Sequence, residues 1–248
     1  MVYDSDGLSS VHNHDFMSDE SFLKAYNRGI AAANGVDYGW YWRIHIGLWA
    51  GRTASNIQGD YVECGVNVGF LSSAIMTDLN WNTLDRHFYL LDTFSGLDPA
   101  LVTDQERQDG IIEKNQKMID DGSYVTSVDS VRENFSEFHN VKIIQGSVPH
   151  TLRQIDTDRI AFLHIDMNCA PPEVAAVEAL WPRLTCGAVV LLDDYAYSGY
   201  QPQKEAMDAL AAKIGMNIAS LPTGQGLIIK GGQGQRSGKK RGILNRFF

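Results

Sequence analysis

The sequence lacks several features that mark particular classes of protein. It has no apolar run of about 18 residues, the length that a membrane-spanning helix needs. Its first residues, Met-Val-Tyr-Asp-Ser-Asp, contain neither the basic nor the apolar part of a signal peptide. The formal net charge is -9, so no excess of basic residues favours nucleic-acid binding by the main body. These absences predict a cytoplasmic protein without a membrane span.

Cysteine is also scarce. The three cysteines, Cys64, Cys169 and Cys186, are not spaced as the ligands of a metal site. We therefore expect free thiols in a reducing compartment rather than a disulfide framework.

From Gly59 onward, short apolar segments alternate with helical ones. Strands are expected at residues 60–64, 88–92, 141–145, 160–166 and 188–193, with helices between them. This alternation predicts an α/β fold with a mostly parallel sheet and helices on both faces. A closing hairpin, residues 216–220 and 226–230, predicts an antiparallel last strand.

The chain divides into three parts on composition. Residues 1–58 are predicted to form an N-terminal helical cap or lid segment, with residues 1–17 loose. Residues 59–230 form the main domain, interrupted by a long acidic loop at 98–123 that is predicted to be irregular and is typical of a lid or a disordered segment. Residues 231–248 form a glycine-rich basic tail, which is predicted to be flexible.

Two neighbouring strands are predicted to end in carboxylates. Asp166 follows one strand, and Asp193 and Asp194 follow the next. Ligands of open α/β sheets bind at the carboxyl ends of the strands, so the three acids should meet. Because three like charges repel unless a cation neutralises them, we expect a hard divalent ion such as Mg²⁺. Solvated charges at the strand ends are the alternative interpretation.

A glycine turn follows the first strand of the main domain. It has Glu63, Gly65 and Gly69 but not the Gly-x-Gly-x-x-Gly of a dinucleotide site. An acid before the turn suits the ammonium of an amino acid, and Asp92, at the end of the second strand, suits two ribose hydroxyls. Together these residues indicate S-adenosylmethionine. Ser147, after the third strand, is a weaker candidate for the cofactor site.

At this point four segments resemble the macrocin O-methyltransferase-like family of class I S-adenosylmethionine-dependent enzymes. They are Val62-Glu-Cys-Gly-Val, Leu91-Asp-Thr-Phe-Ser-Gly-Leu, His164-Ile-Asp and Leu192-Asp-Asp-Tyr. The resemblance covers residues 59–230 and implies a Rossmann-like, mostly parallel seven-stranded sheet. It also implies a metal on Asp166, Asp193 and Asp194, and methyl transfer to a hydroxyl of a small sugar- or polyol-like natural-product acceptor.

The sequence departs from the family pattern where a general base is expected. Asn168 and Ala196 occupy the two positions at which family members carry a proton acceptor. Three explanations stay open: the metal alone acidifies the hydroxyl, His164 or Tyr197 is the base, or transfer activity has been lost. His164 lies two residues before Asp166 on the same strand face, which suits support of Asp166 from behind better than deprotonation of the substrate. A core histidine with its hydrogen bonds satisfied is the alternative interpretation. Asn168 is predicted to hold the acceptor by hydrogen bonding.

Two alternatives to a methyltransferase are weighed against this interpretation. One is a non-catalytic S-adenosylmethionine-binding scaffold or regulatory protein. The other, an NAD(P)-dependent oxidoreductase, shares the strand–turn–helix architecture but is disfavoured by the missing glycine motif. The sequence leaves the oligomeric state open, a homo-oligomer included.

Overall fold

A computed structural model describes residues 2–232 of the chain. Within this part the chain forms nine strands and eight α-helices. The strands are β1 (Tyr3–Ser5), β2 (Leu8–Ser10), β3 (Asp60–Cys64), β4 (Phe88–Asp92), β5 (Val141–Gln145), β6 (Ile160–Ile165), β7 (Leu184–Leu192), β8 (Ala219–Ser220) and β9 (Gly226–Ile229). The helices are α1 (Glu20–Ala32), α2 (Tyr41–Ser55), α3 (Phe70–Asp78), α4 (Asp104–Gln108), α5 (Ile111–Asp120), α6 (Val128–Asn134), α7 (Ala170–Leu180) and α8 (Gln201–Ile214).

Seven of these strands form one sheet in the order β5-β4-β3-β6-β7-β9-β8. The pairs from β5 to β7 are parallel, and β9 runs antiparallel to both β7 and β8. The predicted seven-stranded, mostly parallel sheet with an antiparallel last strand is therefore confirmed. Its topology brings the carboxyl ends of β3, β4, β6 and β7 to one edge.

Alternating side chains bury the sheet on both faces. On β3, Tyr61 packs into the cluster formed with α1, α2 and α3, whereas Val62 packs into the cluster formed with α7 and α8. Phe162 and Leu163 of β6 divide in the same way. Successive residues of a strand point to opposite faces, so nearly continuous apolar strands are the expected sequence of a sheet covered on both sides.

The N-terminal segment is more ordered than the sequence predicted. Residues predicted to be loose form the antiparallel hairpin β1–β2, with Asp6 in the left-handed region at its turn. Helix α1 begins after Asp19, whose side chain accepts hydrogen bonds from the backbone of Ser21 and Phe22. Both helices of this segment then pack against the main sheet domain.

The acidic segment 98–123 was predicted to be irregular, and that prediction is wrong. It contains α4 and α5, and we call it the lid segment. Thr103 and Glu106 form a capping box at the start of α4. Glu106 is buried, and its Oε1 accepts a hydrogen bond of 2.7 Å from the backbone nitrogen of Ala170 at the start of α7. This contact attaches the lid segment to the main domain.

Two further predictions from the sequence concern the basic tail and the absence of a membrane span. The basic tail at 231–248 lies almost entirely outside the described residues. Among residues 2–232, no helix combines the length and the apolar character that crossing a membrane requires.

Candidate active site

A cavity of about 430 Å³ lies at the carboxyl edge of the sheet. Its size is in the range of small-molecule sites. The strand ends contribute residues that the sequence analysis had selected, namely Gly65, Asp92, Ser147, Asp166, Asn168, Asp193 and Asp194. The N-terminal and lid segments contribute the covering residues Asp6, Tyr38, Trp40, Arg43 and Lys114, and Tyr124 follows the lid segment directly.

The glycine turn brings the backbone close to the cavity. Gly65 has a φ of +89°, and a Cβ at this position would lie 1.7 Å from the carbonyl oxygen of Asp166. Only glycine fits such a close approach between two strand ends. The glycine therefore lets the ends of β3 and β6 come together at the cavity, which Gly65 also lines.

Asp92 holds the glycine turn through hydrogen bonds to the backbone. Its Oδ2 accepts from the nitrogens of Val66 and Asn67, at 2.7 and 2.9 Å, and its Oδ1 accepts from Phe94 at 2.7 Å. The carboxylate therefore caps the following loop and lines the cavity at the same time. Its predicted contact with ribose hydroxyls stays a prediction.

The other predicted cofactor residues lie at different depths. Ser147 lines the cavity and donates its hydroxyl to Asp98 at 2.7 Å. Gly69, which precedes α3, is not among the lining residues and packs against Phe135. Glu63 is buried behind the cavity wall, and its Oε2 has no hydrogen-bond partner in the described part of the chain. An orphaned carboxylate oxygen is compatible with a cationic ligand group, so the Glu63 prediction also stays open.

Asp166 and Asp194 form the free acidic part of the site. Burial and the charges of Asp193 and Asp194 raise the pKa of Asp166 well above its usual range. Burial and the charge of Asp193 raise the pKa of Asp194 to about 7. Two carboxyl groups that resist ionisation in one cavity favour a cation beside them.

Asp193 is in a different environment from its neighbour Asp194. Arg43 donates to its Oδ2 at 2.5 Å, and Gln225 donates to its Oδ1 at 2.9 Å. Burial opposes ionisation here too, but Arg43 and His164 outweigh it and lower the pKa of Asp193. The side chain is therefore ionised with both oxygens engaged.

His164 does not contact Asp166, contrary to the expectation from strand alternation. Its Nδ1 lies 2.9 Å from Oε1 of Glu63, and its Nε2 lies 3.5 Å from Oδ1 of Asp193. Burial disfavours the charged ring, but these two carboxylates overcome it and raise the pKa of His164 to about 10. The ring pairs across strands because Glu63 and His164 are in register on β3 and β6. It is not among the residues that line the cavity, and its predicted role in catalysis stays a prediction.

Asn168 lies where the sequence analysis expected an acceptor contact. It lines the cavity with a φ of +55°, and its amide nitrogen lies 3.2 Å from Oδ1 of Asp166. The side chain can donate to Asp166 or to an acceptor oxygen, but it cannot accept a proton.

The three predicted metal ligands share the cavity without forming a ready metal centre. Among residues 2–232, no group of three or more histidine, cysteine or acidic side chains is arranged to hold an ion. Asp166 and Asp194 supply the hard oxygen donors that Mg²⁺ prefers. Asp193 is occupied by Arg43. The donor chemistry fits a divalent ion at Asp166 and Asp194, and the metal itself stays a prediction.

Two cations of the cavity were not identified from the sequence. Arg43 lies in an aromatic stretch of α2. An arginine on a helix face that is otherwise apolar indicates only weakly that a buried acid pairs with it. Lys114, on α5, contacts the Tyr200 hydroxyl and lies 4.0 Å from the centre of its ring. No sequence pattern indicated Lys114, because the lid segment was predicted to be irregular.

The geometry described so far is that of a Rossmann-like methyltransferase, with a glycine turn and strand-end acids at one edge. The model of the macrocin-O-methyltransferase (TylF) family matches residues 50–218. The chain belongs to this family.

Two curated relatives are O-methyltransferases by name. One is the 8-demethyl-8-(2,3-dimethoxy-alpha-L-rhamnosyl)-tetracenomycin-C 4'-O-methyltransferase of Streptomyces olivaceus, 28% identical over 58% of this chain and 55% of the relative. The other is the mycinamicin III 3''-O-methyltransferase of Micromonospora griseorubida, 25% identical over 56% of each. The chain thus spans about half the length of the curated relatives it matches.

A solved structure supports the fold. The O-methyltransferase NovP superposes with a TM-score of 0.66 at 22% identity, covering 77% of this chain and 80% of that one. At this identity the likeness concerns the fold, and it confirms the architecture predicted from the sequence.

Proposed function

We propose that the protein is an S-adenosylmethionine-dependent, divalent-metal-assisted O-methyltransferase that acts on a hydroxyl of a small sugar- or polyol-like acceptor. The observation that carries this proposal is the meeting of the Gly65 turn with Asp166 and Asp194 in one cavity. Membership of the macrocin-O-methyltransferase family and the names of the two relatives support it.

On the cofactor side, the chain would present mainly backbone groups. The Gly65 turn allows a ligand to approach closely, and Asp92 fixes this turn through two backbone hydrogen bonds. Ser147 would border the opposite end of the cofactor. Glu63 would hold the ammonium with its free oxygen, either directly or through water.

On the acceptor side, Asp166 and Asp194 would hold the divalent ion, whereas the charge of Asp193 is balanced by its pairing with Arg43. When bound, the cofactor supplies an electrophilic methyl group and the ion supplies Lewis-acid polarisation of the acceptor hydroxyl. Asn168 would orient the hydroxyl through its amide. Since the transfer is an in-line displacement, this positioning is a large part of the catalytic effect.

The covering segments would exclude water from the reaction. The side chains of Trp40, Tyr124, Tyr197 and Tyr200 close the cavity around the acids. A drier cavity strengthens the electrostatic contacts inside it.

The experiment measures methyl transfer from tritiated S-adenosylmethionine to neutral glycosides and polyols, with Mg²⁺ or with a chelator. The panel includes phenyl α-L-rhamnopyranoside, because the name of the Streptomyces relative contains a rhamnosyl group. We expect transfer that requires Mg²⁺. Asp194→Asn should abolish it while leaving S-adenosylhomocysteine affinity unchanged, and the exposed Asp129→Asn serves as the matched control.

The same experiment separates the alternative functions. The scaffold alternative rests on Asn168 and Ala196, which cannot take a proton. Binding of S-adenosylhomocysteine without transfer to any acceptor would favour that alternative. A wild-type protein that binds no S-adenosylhomocysteine would contradict both readings.

A further inference from the structure

A row of buried charged side chains runs from the sheet into the N-terminal segment. It consists of Glu63, His164, Asp193, Arg43 and Asp6, with acids and bases in alternation. The side chains of Arg43 and Asp6 are each 6% exposed, and Arg43 Nε lies 3.1 Å from Asp6 Oδ2. We call the last three members, Asp193, Arg43 and Asp6, the arginine bridge.

The arginine bridge joins two parts of the chain that are distant in sequence. Arg43 Nη1 donates to both Oδ2 and the backbone oxygen of Asp193, at 2.5 and 3.1 Å. Its Nη2 lies 3.4 Å from the carbonyl oxygen of Thr223, and its guanidinium lies 4.9 Å from the centre of the Tyr197 ring. A planar guanidinium with this many contacts is fixed in orientation and fixes its partners.

The far end of the bridge reaches the turn of the N-terminal hairpin. Asp6 accepts from the hydroxyl of Tyr197 at 3.2 Å as well as from Arg43. Asp6, Arg43 and Tyr197 all line the cavity that holds Asp166 and Asp194. The hairpin is therefore part of the cavity wall on the side of the free acids.

Resting on the proposed function, we propose that Arg43 is a positioning residue that engages Asp193 at the cavity wall so that Asp166 and Asp194 are left to face the acceptor, and that Asp6 makes the hairpin a wall of the acceptor site. Adjacent acids would otherwise compete for one cation. The guanidinium engages Asp193 and leaves Asp194 free, so the ion and the acceptor meet a defined pair of carboxylates.

The test compares Arg43→Met, Arg43→Lys and Asp6→Asn in the full chain, with Arg132→Met as control. Arg132 pairs with Asp129 on the surface, so its loss removes an ion pair outside the cavity. For phenyl α-L-rhamnopyranoside we expect Arg43→Met to lower kcat by about 10–100-fold, as for other residues that orient a metal site from behind. Arg43→Lys should lose less activity than Arg43→Met, since lysine keeps the positive charge but lacks the planar guanidinium with its several donors.

Asp6→Asn addresses the acceptor wall separately. We expect it to raise the acceptor KM about tenfold with little change in kcat, because it weakens a charge-assisted contact at the wall. Affinity for S-adenosylhomocysteine should stay unchanged in all variants, since neither Arg43 nor Asp6 is among the proposed cofactor-binding residues. A parallel loss of S-adenosylhomocysteine binding would show that Arg43 only stabilises the fold, and an unchanged kcat in Arg43→Met would equally overturn the proposal.

A spectroscopic readout works without any acceptor. The Nδ1–H proton of His164, which lies against Oε1 of Glu63 at 2.9 Å, should give a low-field proton resonance. This resonance should shift in Arg43→Met, less so in Arg43→Lys, and not in Arg132→Met. If the wild type methylates none of the acceptors, the proposed function fails, and this readout alone decides the bridge: a resonance unmoved by Arg43→Met would reject it.

Discussion

The carboxyl edge of the sheet and the segments that cover it contribute differently to the same cavity, since the charged side chains of the edge are all acids, whereas the covering segments supply the cations as well as Asp6 and Asp98. The strand ends contribute Asp92, Asp166, Asp193 and Asp194, whereas the cations that line the cavity in the described part of the chain, Arg43 and Lys114, come from α2 and from the lid segment. A parallel sheet can place acids at its edge through local strand-end geometry alone. Neutralising them requires side chains from elsewhere, so the site is complete only when the covering segments are in place.

The largest effect is expected at the sheet edge itself. Gly65→Ala would place a Cβ 1.7 Å from the carbonyl oxygen of Asp166, and we expect a loss of about 4 kcal/mol in the free energy of unfolding. Gly187→Ala is the matched control, because Gly187 has a similar φ of +87° but its nearest contact would be 3.7 Å away. Backbone strain alone should cost it about 1–2 kcal/mol. Chemical denaturation checks both values, and equal losses would show that strain rather than the close approach dominates.

The free energy of unfolding should depend on pH because a buried acid, Glu173, lies behind the carboxyl edge of the sheet. Burial and the charge of Asp194 raise the pKa of Glu173 to about 8. The unfolded chain releases this proton at lower pH than the folded one, so its stabilising contribution is complete below about pH 4.3 and is lost as the pH rises towards 8.

Glu173→Gln should therefore make the fall in stability between pH 5 and pH 8 shallower, by about 3–4 kcal/mol over that range. Denaturation midpoints at several pH values measure this slope. Glu178→Gln, an exposed position on the same helix α7, is the control. A slope equal to that of the wild type would mean that Glu173 ionises without cost in the folded protein.

The smallest effect on the free energy of unfolding is expected in the lid segment. Glu106→Gln replaces a carboxylate that accepts from Ala170 at 2.7 Å and from the Thr103 backbone at 2.9 Å. In the variant one of these backbone N–H donors would face the NH₂ group of the glutamine instead of an acceptor. We expect a loss of about 1 kcal/mol in the free energy of unfolding. Limited proteolysis within the lid segment should become faster, whereas Glu113→Gln on α5, an exposed position, should leave it unchanged. An unaltered cleavage rate in Glu106→Gln would show that the lid segment is held by other contacts.

The same contrast explains which predictions from sequence succeeded. The strands of the main sheet are short apolar runs buried on both faces, and a run such as Phe88–Asp92 carries that information locally. The lid segment and the N-terminal hairpin were misjudged because long-range contacts hold them, Glu106 to Ala170 and Asp6 to Arg43. The capping box of Thr103 and Glu106 was nevertheless legible as Thr-x-x-Glu, and it would have located the start of α4.

The adjacent pair Asp193 and Asp194 shows where the sequence stops being sufficient. The sequence alone placed both acids at the end of a buried strand, beside a third acid on the neighbouring strand. Only the tertiary structure distinguished them, because Arg43 and His164 approach one carboxylate and lower its pKa, whereas Asp193 and burial raise the pKa of the other to about 7. Neighbouring residues share a sequence context, but their side chains point in different directions and meet partners that lie far away along the chain.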